Sequence, residues 1–155
     1  MKATIIGPGA LGTLLATNLS RSKNEVCLLD NNPERARKLS LNNIRLEGVG
    51  GNYKAKIKVT TDVKEIGDSL AIFICVKSYD TENALKGVKD LINENDYVIS
   101  FQNGLGNLQL ISEYVDPDKI IYGVTSERAA LTEEDCVRHT NKGETVIGQD
   151  SGKVL

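Results

Sequence analysis

The stretch Ala3-Thr4-Ile5-Ile6-Gly7-Pro8-Gly9-Ala10-Leu11-Gly12 decides the fold. Ala3 to Ile6 is a short, β-branched apolar run that stops at a glycine, the pattern of a buried strand. Past the glycines, Leu11, Leu14, Leu15 and Leu19 recur at helical spacing, so residues 10–20 predict a helix. The loop between them is a G-x-G-x-x-G motif in strand–loop–helix context. Each glycine has a task in a loop that carries a pyrophosphate. Gly7 permits a tight turn, Gly9 lets the phosphates approach the backbone, and Gly12 lets the helix pack closely on the strand. The free N–H groups and positive dipole end of the helix then face the anion. Pro8, Ala10 and Leu11 complete the candidate loop.

Working outward, Val26 to Leu29 predicts a second buried strand, and Asp30 ends it 18 residues after Gly12. A carboxylate there accepts bonds from the ribose hydroxyls of NAD and repels the 2′-phosphate of NADP. It equally suits a cap on the following turn. On the first reading Asp30 and Asn31 bind the cofactor and NADH is favoured. Arg35 and Arg37 argue the other way if either folds back over the strand end. Asn32, Pro33 and Glu34 are an N-cap, a first-turn proline and a first-turn acid, opening a second helix. Strand, helix, strand, helix within forty residues implies a parallel sheet.

Ile44 to Leu46 and Ala55 to Val59 alternate apolar and charged residues around Gly48 to Gly51, which predicts a hairpin or an exposed edge excursion. Leu70 to Val76 is a continuous apolar run, a central strand ending at Lys77. Leu85 to Ile92 predicts a helix, Tyr97 to Phe101 a strand, Leu108 to Tyr114 a short helix and Ile120 to Val124 a strand. Val137 to His139 and Thr145 to Ile147 flank Lys142-Gly143 and predict a closing antiparallel hairpin. Lys77 and Asn103 fall at the carboxyl ends of successive strands, where open α/β sheets bind ligands. His139, the one histidine, reads as structural, and Glu133-Glu134-Asp135 as a solvated turn.

At 155 residues the chain suits one domain, since domains run about 100–200 residues. With 40% hydrophobic and 26% charged residues it can form an ordinary globular core. A net charge of −2 offers no field for nucleic acid or an anionic membrane. One histidine and three scattered cysteines without a CxxC pair argue against a metal centre and a disulfide framework, and a reducing, cytoplasmic setting is expected.

Several motifs together resemble the ketopantoate reductases (2-dehydropantoate 2-reductases). They are the glycine loop at the N-terminus, Cys75-Val76-Lys77-Ser78-Tyr79, Gln102-Asn103-Gly104-Leu105-Gly106, Gly123-Val124-Thr125 with Ala129-Ala130, and the segment from His139 to Gly148. The resemblance spans essentially the whole chain. It implies the N-terminal domain of an enzyme that reduces a keto acid, 2-dehydropantoate, to pantoate with NAD(P)H, on the way to pantothenate and coenzyme A. It implies a pyrophosphate site at Gly7 to Gly12, a lysine beside the nicotinamide ribose at Lys77, and an asparagine touching cofactor and substrate at Asn103. A backbone cofactor contact falls at Ala130. NADPH is usual in the family, whereas Asp30-Asn31 stands where an arginine commonly holds the 2′-phosphate. The family's general-acid lysine belongs to a helical C-terminal substrate domain, expected to be absent here, so the chain reads as a truncated form or a natural short homologue.

The resulting expectation is an α/β, doubly wound parallel sheet of Rossmann type with an antiparallel hairpin near the C-terminus. Residues 1–148 form the dinucleotide-binding domain and residues 149–155 a loop or linker start. Two other readings stay open: a nucleotide-sensing regulatory domain, and the cofactor domain of a different two-domain dehydrogenase.

Overall fold

Buried apolar runs a helix apart must pair side by side, and here they close into one seven-stranded sheet. The computed structural model describes residues 1–103 and 106–149. In chain order its elements are β1 (Lys2–Ile6), α1 (Ala10–Arg21), β2 (Glu25–Leu29), α2 (Pro33–Leu41), β3 (Ile44–Gly48), β4 (Tyr53–Ala55), β5 (Lys58–Thr60), β6 (Ala71–Ile74), α3 (Thr81–Val88), β7 (Tyr97–Ser100), α4 (Asn107–Ser112), β8 (Ile120–Thr125), β9 (Arg128–Glu133), β10 (Cys136–Asn141) and β11 (Thr145–Gly148). The large sheet runs β11-β8-β7-β6-β1-β2-β5. All its pairings are parallel except β11 on β8. The chain winds from β1 out to β5, then returns to β6 on β1's other side. The β1/β6 boundary is therefore the topological switch point, where a crevice opens outside the strand ends.

The sheet is covered on both faces, as its near-continuous apolar strands require. Ile6, Leu29, Ile72, Ile74 and Val98 bury against Leu85 and Val88 of α3 and Ile111 of α4. On the other face Ile5, Val26 and Leu28 pack with Ala16 of α1 and Ala36 and Leu39 of α2.

The alternating segments build something the sequence reading did not resolve. β3 and β4 pair antiparallel, as expected of a hairpin. Lys58 to Thr60, however, leaves that hairpin and joins the large sheet beside β2. The two C-terminal segments expected to pair with each other do not. Thr145 to Ile147 pairs antiparallel with β8. Val137 to His139 pairs antiparallel with β9 and parallel with β3, forming a second sheet of order β4-β3-β10-β9. The antiparallel addition near the C-terminus is thus present, with different partners inside it. The physical reason is α1, whose leucines face two directions. Leu14 points away from the large sheet and needs its own cover, which Leu46, Val137, Tyr53 and Ala129 of the second sheet supply. Of the run expected as a solvated turn, Glu134 and Asp135 form the tight turn between β9 and β10, while Glu133 ends β9 and shares Arg45 with half-buried Asp135. Most of the expected linker, residues 150–155, lies outside the described residues. Among the described residues no helix is long and apolar enough to cross a membrane.

Candidate cofactor cleft

The glycine loop lies at the switch point. Gly7 has φ +99°, and a Cβ there would sit 2.9 Å from Val76 Cγ1 and 3.0 Å from Val76 N, so conformation and space both demand glycine. Its N–H donates to Leu29 O at 2.9 Å, which sets the turn against β2. At Gly12 a Cβ would overlap the Gly7 carbonyl oxygen and lie 3.1 Å from Cys75 Cβ, so its task is helix–strand contact. Gly9 differs from both. Its φ of −72° is ordinary, and a Cβ there would meet only Cys75 O at 4.0 Å. The fold itself leaves that space open.

Gly9 is also the N-cap of α1, which has neither a side-chain cap nor an acidic residue in its first turn. The first N–H groups of an uncapped helix call for an outside acceptor, and the helix dipole makes an anion the best one. α2 is the contrast within the same chain. Asn32 Oδ1 accepts from the N–H groups of Glu34 and Arg35 at 3.0 Å each, with Pro33 and Glu34 in the first turn.

Two cavities flank the loop and meet at Gly9, Cys75, Val76 and Lys77. One, of about 500 Å³, runs along Gly7, Pro8, Asp30, Asn31 and Arg35. The other, of about 640 Å³, runs past Ala10 and Leu11 to Asn103, Glu127 and Ala129. Together they make one cleft across the strand ends. Lys77 is exposed at the shared centre. Asn103 is exposed on the far side, and its backbone oxygen accepts from Ser78 Oγ at 3.0 Å and Asn107 Nδ2 at 3.1 Å. Gln102 ties the ends of β6 and β7 together, donating through Nε2 to Val76 O at 2.7 Å and Thr81 Oγ1 at 2.8 Å. These bonds hold the Lys77 and Asn103 turns side by side. Gly104 and Leu105 of the same motif lie outside the described residues.

Asp30 lines the first cavity, but its carboxylate is not free. Arg35 folds back and grips it with a two-pronged bond, Nε to Oδ2 at 2.6 Å and Nη2 to Oδ1 at 2.5 Å. Oδ1 also accepts from Asn32 N at 3.0 Å, so Asp30 does cap its turn. The Asp30 side chain is 0% exposed, whereas that of Arg35 is 33% exposed. The bond to Asp30 raises the Arg35 pKa above its already high value. The premise that an open carboxylate faces the ribose is therefore corrected: the group facing the cleft is a guanidinium whose charge Asp30 already balances. Arg37 is exposed and lines neither cavity.

Ala130 is exposed and lines neither cavity, while its neighbour Ala129 faces the cleft and packs beside Leu14 and Val137. Side chains alternate along β9, so a shift of one position exchanges the two faces. The sequence reading also passed over Glu127, which lines the cleft and bonds to buried His139. No local signal could have joined residues on different strands.

Cys75 lies half-buried at the junction of the two cavities, and desolvation pushes its thiol pKa up to about 12. At pH 8 almost no thiolate forms, and only the thiolate is nucleophilic. Iodoacetamide at pH 8 is therefore expected to label Cys75 of the folded protein at least about a hundredfold more slowly than a free cysteine. Mass spectrometry of tryptic peptides reads this directly, and rapid labelling of Cys75 would mean the strand end opens.

Fold and cleft define a doubly wound α/β domain with a Rossmann-type glycine loop. Residues 3–152 match the family model described as ketopantoate reductase PanE/ApbA. The chain is 33% identical over 98% of its length to 2-dehydropantoate 2-reductase of Halobacterium salinarum, and 35% identical over 99% of its length to that of Aquifex aeolicus. It spans 50% and 48% of those two proteins, about half of each. Among solved structures, D-mandelate dehydrogenase with NADH and anilino(oxo)acetate has a TM-score of 0.87 at 25% identity, over 95% of this chain and 48% of that one. The fold is also that of a Geobacter metallireducens 2-dehydropantoate 2-reductase, with TM-score 0.91 at 22% identity over 100% of this chain and 51% of that one. The chain belongs to the ketopantoate reductase PanE/ApbA family of nicotinamide-dependent oxidoreductases.

Proposed function

We propose that the chain is the cofactor-binding half of a reductase that converts 2-dehydropantoate to pantoate, and that its preferred cofactor is NADPH. The observation that carries the reading is the open, uncapped N-terminus of α1 at Gly9, in the middle of a cleft that crosses the switch point. Residues 1–148 act as the binding unit. The N–H groups of α1 hold the pyrophosphate, Lys77 lies by the nicotinamide ribose, Asn103 orients nicotinamide and ketone, and Ala129 supplies the backbone contact expected of Ala130. The cofactor supplies the hydride, and the domain fixes its position. The juxtaposition of Lys77 and Asn103 favours this over a nucleotide sensor, which has no use for paired polar groups at that end. A cytosolic site of action fits three cysteines that are all free.

NADPH is the choice because of Arg35. A guanidinium has five N–H donors and Asp30 takes two, which leaves three for another acceptor, and Arg35 lines the cleft. Asp30 holds the fork in place, and Arg35 in turn cancels the repulsion that an open carboxylate would exert on a 2′-phosphate. A charge-assisted bond of this kind is worth about 1.5–3 kcal/mol, roughly 10- to 100-fold in affinity. Arg35→Met is therefore expected to weaken NADPH by at least about tenfold while NADH binding holds or tightens, because Asp30 becomes free to meet ribose hydroxyls. Parallel calorimetric titrations of both cofactors decide it. Tighter NADH binding by the unaltered chain would show that Arg35 yields its place and that Asp30 reads the ribose.

A second reading, a reductase of another 2-oxo acid, draws on the likeness to D-mandelate dehydrogenase. Competition between 2-dehydropantoate and an aryl 2-oxo acid for the NADPH-loaded chain separates the two.

A further inference from the structure

Glu127 and His139 form a pair that the cofactor roles above leave unused. Glu127 sits in the short link between β8 and β9, where its N–H donates to Thr125 Oγ1 at 3.2 Å. Its side chain lines the same cavity as Lys77 and Asn103. His139, on β10, is 3% exposed, and its Nε2 bonds to Glu127 Oε2. Its other nitrogen, Nδ1, is buried without a partner among the described residues. The β3–β4 turn closes over that side of the ring. A Cβ at Gly50 would lie 2.8 Å from Nδ1, and Val49 N donates to His139 O at 3.0 Å.

An Nε2–H on this ring donates to the carboxylate, which fixes the orientation of Glu127. Lys77 and Arg128 line the cavity, yet among the described residues neither forms an ion pair with Glu127. The wall carries a carboxylate held in a fixed orientation.

We propose that Glu127, aimed by His139, biases the nicotinamide end of the cleft toward the oxidised cofactor. This rests on the reading that the nicotinamide occupies the cavity of Lys77 and Asn103. The reduced ring is neutral and the oxidised ring is a cation, so a nearby carboxylate discriminates between them while contacts common to both forms do not. The same charge favours the positive ring that develops as hydride departs. His139 is a positioning residue that acts through Glu127, and the Gly48–Gly51 turn holds the ring in place.

The test is the ratio of dissociation constants for oxidised and reduced cofactor, measured by titration of NADP+ and NADPH, and of NAD+ and NADH, into the 155-residue chain. Glu127→Gln keeps the shape and the bond to His139 but removes the charge. It is expected to weaken the oxidised form about five- to tenfold relative to the reduced one. His139→Gln retains an N–H donor toward the carboxylate and is expected to keep the original ratio. His139→Leu, where it folds, shifts the ratio in the same direction as Glu127→Gln. A merely structural staple would lower the melting temperature in these variants and leave the ratio alone. An unchanged ratio in a Glu127→Gln protein that still binds both forms overturns the assignment and leaves the cofactor reading standing. Failure of the unaltered chain to bind any of the four cofactors overturns both.

Discussion

Gly9→Val is expected to abolish measurable dinucleotide binding while the domain stays folded. The two halves of that outcome come from different facts. A Cβ at Gly9 has open space around it and the backbone is in an ordinary region, so the folded chain accepts a side chain there. The cost to the protein is a poorer N-cap, about 1 kcal/mol, or a fall of roughly 2–4 °C in Tm. For the ligand the same side chain fills the place where phosphate oxygens must meet the first N–H groups of α1. Losing two charge-assisted bonds of about 1.5–3 kcal/mol each weakens binding at least about a hundredfold. Calorimetric titration alongside thermal melting reads both halves. Unchanged affinity in a folded variant would remove the loop from the cofactor site.

Gly12→Val, three residues along, is expected to give the opposite result. Its Cβ would collide with the Gly7 carbonyl oxygen, and Cys75 Cβ at 3.1 Å and Ile5 Cγ2 at 3.3 Å close the other sides. The first obstacle is backbone, so no rotamer change relieves it. Overpacking of this kind costs about 3 kcal/mol or more. For a chain of this length that is a drop of roughly 10 °C in Tm. Thermal melting followed by circular dichroism measures it, and a melting temperature within about 3 °C of the unaltered chain would mean that α1 can slide off β1 cheaply.

The contrast between these two glycines marks how far sequence could go. The motif places both at the strand–helix junction, but only packing distances separate the one the fold needs from the one the ligand needs. The doubly wound sheet was legible because its signals are local: apolar runs that end at Gly7, Asp30 and Lys77, and helices with recognisable starts such as Asn32-Pro33. The second sheet was not, since β10 pairs with β3 and nothing within either strand names the other. The same limit governs the site. Asp30 could be placed at a strand end, but the turn that brings Arg35 back onto it is a matter of side-chain direction. Ala129 and Ala130 are the same residue type, and only the register of β9 decides which faces the cleft. Glu127 and His139 are twelve residues apart and meet only because β9 and β10 fold together.

The pairing of β10 with β3 also has a consequence during synthesis. Cys136 lies opposite Arg45, so that contact spans about ninety residues of chain. β2, which ends at Leu29, precedes the start of β10 by more than a hundred residues. Translation at about 5–20 residues per second leaves roughly 5–20 s between the emergence of β3 and that of β10. Throughout that interval the outer side of α1 has at most Leu46 and Tyr53 against Leu14, and Val137 and Ala129 are missing. The helix that presents the glycine loop is thus made long before its second cover arrives. A nascent chain paused in this window would leave Leu14 of α1 without Val137 and Ala129, an apolar side chain still open to a chaperone.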